Sequence, residues 1–234
     1  MVKMNISALK RLDNGLDRIA NYQLIREIGL DNVTVVGGFL RDLVANVRHN
    51  DVDIKIRRKS FPAVLEHYKE MAYSDQIKIV CGLETFDIGL FHNVPTDVDV
   101  NSLYVHLGEY MQWKQKESHN IAQIPVRSCI VGRDHIVNLI LRFKFNISPD
   151  LRDSERLYKI LSKGYSLNLT QHNLKCLYNI SLLNVQDRVS PGTHLHNVRY
   201  TINTLASIYV GQCAPWSCEK DREEYLKMIR IPSS

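Results

Sequence analysis

VVGGFLRDLVANVRHNDVDIKI (Val35–Ile56) is the stretch that decides the reading of this chain. A β-branched run, NVTVV, has the composition of a short buried strand. Gly37-Gly38 then turns the chain, and FLRDLVANV sets Phe39, Leu40, Leu43, Val44 and Val47 along one side of a helix. DVDIKI alternates strictly and predicts a half-buried strand with Val52, Ile54 and Ile56 facing the core. On such a strand Asp51 and Asp53 project together, with α-carbons roughly 6.5–7 Å apart. Two neighbouring carboxylates repel unless cations lie between them. A pair of divalent ions about 3.5–4 Å apart satisfies both and can activate an attacking oxygen while stabilising a leaving one. Lys55 shares their face and can reach a phosphate. The glycines lack Cβ atoms, so backbone N–H groups can approach a ligand closely where a helix begins, a setting that favours a triphosphate. The spacing predicts that the phosphate cradle and the two aspartates open on one cleft.

Around this stretch the chain changes texture. Residues 5–29 carry apolar positions at helical spacing, with a break expected at Asn14-Gly15. SFPAVLEHYKEMAYS predicts a helix after Pro62, QIKIVCGLETFDIGLFHNV two strands joined near Gly82, and TDVDVNSLYVHLG an alternating strand running into a helix. From about residue 120 onward, helical spacing dominates, over about 134–144, 151–163, 170–184, 197–210 and 220–229. The expected fold class is therefore α+β: a head with a mixed sheet and helices over 1–119, followed by an all-α lobe over 120–234.

Charge follows the same division. Residues 1–119 hold 15 Lys/Arg against 16 Asp/Glu, and residues 120–234 hold 15 against 9. The front half suits metal ions and the rear half a polyanion. Arg152, Arg156, Lys159 and Lys163 form a basic row at helical spacing, a candidate for RNA phosphates. Most of Tyr158, Tyr165, Tyr178 and Tyr200 fit apolar stripes and are expected in the core. Cys81, Cys129, Cys176, Cys213 and Cys218 are scattered without C-x-x-C spacing, as expected of incidental thiols. His194 and His196 have no ligand neighbours in sequence and read as a turn or surface pair. No run of 18 apolar residues and no signal-like leader is present, so a cytoplasmic setting without a membrane span is expected.

GGFLRDLVANVRHNDVDI resembles the GG-x-x-RD…D-x-D head signature of the polymerase-β-type nucleotidyltransferases, and within them the class II tRNA nucleotidyltransferases (CCA-adding enzymes) and bacterial poly(A) polymerases. TDVDVNSLYV is similar to that family's RRDFTINSLYY segment, and LRFKFNISPDL to its A-R-F-G-F-x-I-x-P-D-L stretch. The resemblance implies a nucleotidyltransferase head with Asp51 and Asp53 as metal carboxylates, and Gly37, Gly38, Arg41, Lys55, Asn101 and Arg142 serving the nucleotide. It makes Asp97 a third acidic residue, with Asp99 in reserve, and leaves Asp42 a local structural role. It implies Mg²⁺ or Mn²⁺, ATP or CTP as substrate, and RNA, tRNA first, as the acceptor whose 3′-hydroxyl is extended. The chain departs from the family pattern in two places. Pro95 and Thr96 replace the arginines of RRD, and SCIVG (128–132) and RDHIV (133–137) stand where E-D-x-x-R would select the base. Two alternatives stay open: a toxin-type transferase modifying tRNA or protein, and an inactive RNA-binding adaptor of the same fold.

Overall fold

A computed structural model describes residues 5–68, 72–73, 76–90, 96–149, 151, 154–186 and 192–213. The chain forms two compact units, Met1–Arg142 and Phe143–Ser234.

The first unit is built on a seven-stranded mixed sheet in the order β3-β4-β5-β2-β1-β6-β7. Its strands are β1 (Val33–Val36), β2 (Val52–Ile56), β3 (Ala72–Tyr73), β4 (Gln76–Cys81), β5 (Glu84–Leu90), β6 (Leu103–His106) and β7 (Arg127–Ser128). Only β2 and β5 pair in parallel; the other neighbours are antiparallel. Its helices are α1 (Ile6–Ala20), α2 (Gln23–Ile28), α3 (Gly38–Ala45), α4 (Phe61–His67), α5 (Leu107–Lys114) and α6 (Arg133–Leu141). Alternation sets the two faces of the sheet. Val33, Val35, Ile54, Ile56, Phe86, Ile88, Leu103 and Val105 are all buried. Thr85, Asp87, Asp53, Lys55, Tyr104 and His106 point the other way and stay half-exposed. This second, open face is where polar chemistry can stand.

The helix expected to break at Asn14-Gly15 runs on to Ala20. Gly15 is buried against α3, and a Cβ there would fall 2.4 Å from Leu43 Cδ1. The glycine is a close-packing site between α1 and α3, and that contact outweighs its weak helix propensity. Arg11 ties the same pair by donating to the carbonyls of Leu43 and Val44. Buried Glu84 accepts from Arg18 at 2.7 Å and meets His49 at 2.8 Å, so the head of β5 is held to α1 and to the loop that delivers Asp51.

The expected division at 119/120 differs from the observed units. Residues 120–142 supply β7, which extends the sheet beside β6, and α6, which packs on α3. Both elements complete the first unit's core through Ile124, Val126, Ile136, Val137 and Ile140. The helix expected over 134–144 stops at Leu141, because Arg142 caps it and Phe143 takes a left-handed backbone (φ +51°).

The second unit holds α7 (Ser154–Ser162), α8 (Gln171–Gln186) and α9 (His194–Cys213). A short parallel pair, β8 (Lys144–Phe145) and β9 (Ser166–Leu167), joins them, a feature that helical periodicity did not announce. Leu157, Ile160, Leu174, Leu177, Ile180, Val198 and Ile202 form the apolar interior. A buried polar thread crosses it: Ser154 donates to Asn184, which donates to Asn203. Tyr165 is buried as expected, whereas Tyr200 is exposed. The helix expected over 220–229 lies outside the described residues.

Candidate active site

Between β1 and α3 the backbone of Gly37 takes φ +73° and ψ −135°, a region that side-chain-bearing residues rarely enter. Its N–H donates to the carbonyl of Leu103 at 3.0 Å, fixing the turn to β6. A Cβ on Gly37 would stand 3.4 Å from Asp53 Oδ2 and 4.0 Å from the carbonyl of Asn101. The bare loop and the carboxylate therefore face each other directly. Gly37→Ala should cost about 1–3 kcal/mol from backbone strain alone, and should crowd Asp53. Denaturant titration checks the first effect and triphosphate affinity the second; an unchanged midpoint would contradict the observed turn.

β2 keeps the expected alternation, with Asp51 immediately before the strand and Asp53 and Lys55 half-exposed on the open face. The strand pairing adds a residue that sequence reasoning missed. Asp87 of β5 lies in direct register with Asp53, and Lys78 of β4 lies opposite Asp87. Adjacent strands sit about 4.8 Å apart, so the two aspartates share one face at close quarters. The signal was present in TFDIG, where Asp87 occupies the polar phase of an otherwise apolar strand.

Asp97 and Asp99 do not lie on a regular strand. Asp97 sits in a bend and accepts from the N–H of Val98 at 3.0 Å. Asp99 opens a 3-10 turn, Asp99–Asn101, and is buried. Aspartate and asparagine side chains compete with strand pairing by bonding to nearby backbone, and this turn shows that preference. Arg41 is buried on α3 and donates to Asp42 at 2.8 Å and to Asn101 Oδ1 at 2.7 Å. Its guanidinium thereby braces the Asn101 turn, and Asp42 has the local pairing expected of it. Gly38 adjoins the same group, since a Cβ there would lie 3.4 Å from Arg41 Nη2. Arg142 is exposed at the C-cap of α6. In the second unit Arg156 and Lys159 are exposed and Lys163 is half-buried, while Arg152 lies outside the described residues.

Beside Tyr104, residues Val126–His135 line an open cleft of about 590 Å³, within the range of small-ligand sites. This is where SCIVG stands. Arg133, at its wall, has its guanidinium held by Asp134 and by the carbonyls of Ile124 and Ala122. Val137 is buried.

Among the described residues no group of three or more His, Cys, Asp or Glu is assembled tightly enough to hold a metal ion by itself. The donors that Asp53 and its registered neighbour Asp87 present are carboxylate oxygens. That set fits Mg²⁺, which is held by one or two carboxylates while substrate phosphates and water complete its shell.

No family model matches the sequence, and no curated protein does. Solved structures do. The Thermotoga maritima CCA-adding enzyme complexed with tRNA aligns over 94% of this chain and 53% of its own, with a TM-score of 0.51 and 13% identity. The chain shares the fold of that enzyme over the aligned residues. A tRNA-processing enzyme (TM-score 0.48, 12% identity, covering 87% of this chain and 63% of that one) is also similar. So is the Bacillus stearothermophilus CCA-adding enzyme in complex with CTP (TM-score 0.41, 11% identity, 89% and 52%). The chain spans about half the length of the CCA-adding enzyme it matches over 94% of its residues. Among the described residues, no helix is long and apolar enough to cross a membrane.

Proposed function

We propose that this protein is a metal-dependent nucleotidyltransferase that adds nucleotides to an RNA 3′-hydroxyl, with tRNA as the first candidate acceptor. One observation carries the reading: the Cβ-less turn at Gly37 faces the Asp53 carboxylate, and Asp87 stands in register beside it. A triphosphate seated over the bare Gly37 turn lies at the N-terminus of α3, which begins at Gly38 and where peptide dipoles favour negative charge. The 3′-oxygen of the RNA attacks the α-phosphorus, a new phosphodiester forms, and the α–β phosphoanhydride bond breaks to release pyrophosphate. Mg²⁺ or Mn²⁺ would be held by Asp51 and Asp53, with Asp87 beside them, and when bound would supply charge stabilisation and lower the pKa of the attacking hydroxyl. The carboxylates orient the reacting groups, Lys55 offsets charge on the same face, and Arg41 keeps the Asn101 and Gly37 turns in place. The third carboxylate of this reading is Asp87, with Asp97 serving the incoming nucleotide through its bend. The cleft over Ser128–His135 takes the nucleoside, so ATP or CTP would be distinguished by the SCIVG backbone rather than by an Asp/Arg pair. Arg142 serves the incoming nucleotide, and in the second unit Arg156 and Lys159 of α7 with Lys163 just after it hold RNA phosphates.

Incubating the protein with each labelled ribonucleoside triphosphate, Mg²⁺ and total tRNA tests the proposal. Label at RNA 3′ ends is the expected result. Label on protein would favour a toxin-type transferase, and no incorporation with any triphosphate would overturn the catalytic reading.

A further inference from the structure

Resting on the reading of Asp51, Asp53 and Asp87 as the reacting end, we propose that the open face of the head sheet binds the single-stranded 3′ end of the acceptor RNA, along Lys55, Arg57, Arg58, Lys59 and Arg127. IKIRRKS places four cations in five residues at the end of β2. Lys55 and Arg57 follow Asp53 at every second residue, so they continue its face away from the carboxylates. Arg57, Arg58 and Lys59 are exposed, and none of them forms an ion pair among the described residues. Arg127 reaches the same face from β7, opposite Tyr104, and is shared with Glu109 at 2.7 Å.

Two rings lie beside these charges. Tyr104 and His106 are half-exposed on β6, edge to face with centroids 5.7 Å apart. Thr34 holds the His106 ring through Nδ1 at 2.7 Å. Burial holds the imidazole below its usual pKa; Arg127 and Arg57 push the same way and Glu109 opposes them. A neutral ring is suited to stacking. Cations that track a backbone, interleaved with aromatic rings that accept bases, are the combination that binds single strands without reading a duplex groove.

The test is fluorescence anisotropy of the full chain with a 5′-labelled oligoadenylate, in chelator and without nucleotide, over a range of salt. Replacing three phosphate contacts (R57Q/R58Q/K59Q) should lower the log–log salt slope by about 2, from ~0.7 per contact on single strands, and weaken binding at least ~10-fold at low salt. R57Q alone should lower the slope by ~0.7. Tyr104→Leu should weaken binding while leaving the slope unchanged. All three cations are exposed, and circular dichroism confirms that the variants are folded. Unchanged affinity and slope in the triple variant overturns the proposal. So does loss of binding to phosphatidylserine vesicles with RNA binding intact. Because binding is read without nucleotide, a chain that binds RNA through this face and transfers nothing would contradict the proposed activity and leave the surface standing.

Discussion

Asp53→Asn should lower nucleotide transfer by ~10³-fold or more while leaving the fold intact. Charge stabilisation of this kind is worth several kcal/mol, and each 1.36 kcal/mol is tenfold in rate. Asparagine keeps the shape of the side chain opposite Gly37 and removes its negative charge. The residue is half-exposed, so removing the charge should not destabilise the sheet; relief of repulsion with Asp87, its registered neighbour, works in the opposite direction. Single-turnover transfer at saturating triphosphate, with the denaturation midpoint measured in parallel, separates the two effects. Residual activity within tenfold of the parent chain would mean that Asp53 does not hold the reacting centre.

The largest stability effect is expected at Arg41→Ala. Arg41 and Asp42 are 5% and 2% exposed, and their contact is 2.7 Å. Removing one partner of a buried pair typically costs about 3–5 kcal/mol, because the remaining charge loses the group that offset its desolvation. The same truncation releases Asn101, whose carbonyl lies near Gly37. Chemical denaturation should therefore show a large loss of stability together with weaker triphosphate binding. A change under ~1 kcal/mol would contradict the buried pairing. Arg41 was expected at the nucleotide, and in the structure its guanidinium braces the turns that shape the site.

The features legible in the sequence were those with short-range causes. The phase of DVDIKI set which side of β2 is buried, and the glycine pair marked the strand-to-helix turn. What escaped depends on contacts between distant segments. Gly15 reads as a helix breaker until Leu43 is found packed where its Cβ would be. The segment TDVDVN alternates like a strand, yet the Asp97 side chain accepts from the neighbouring Val98 N–H and Asp99–Asn101 closes a 3-10 turn. Asp87 becomes a partner of Asp53 only through the parallel pairing of β2 with β5, and periodicity carries no information on strand register. The boundary near residue 120 followed a change in composition, whereas β7 and α6 join the first unit through hydrogen bonding and packing on β6 and α3.

The most direct measurement is anomalous diffraction from crystals grown with Mn²⁺ and a nonhydrolysable ATP analogue. The account predicts manganese peaks within coordination distance of Asp51 and Asp53, with Asp87 alongside and the triphosphate at the N-terminus of α3 beside Gly37 and Gly38. Nucleotide bound away from the open face of β2 and β5, with those carboxylates free of manganese, would contradict it.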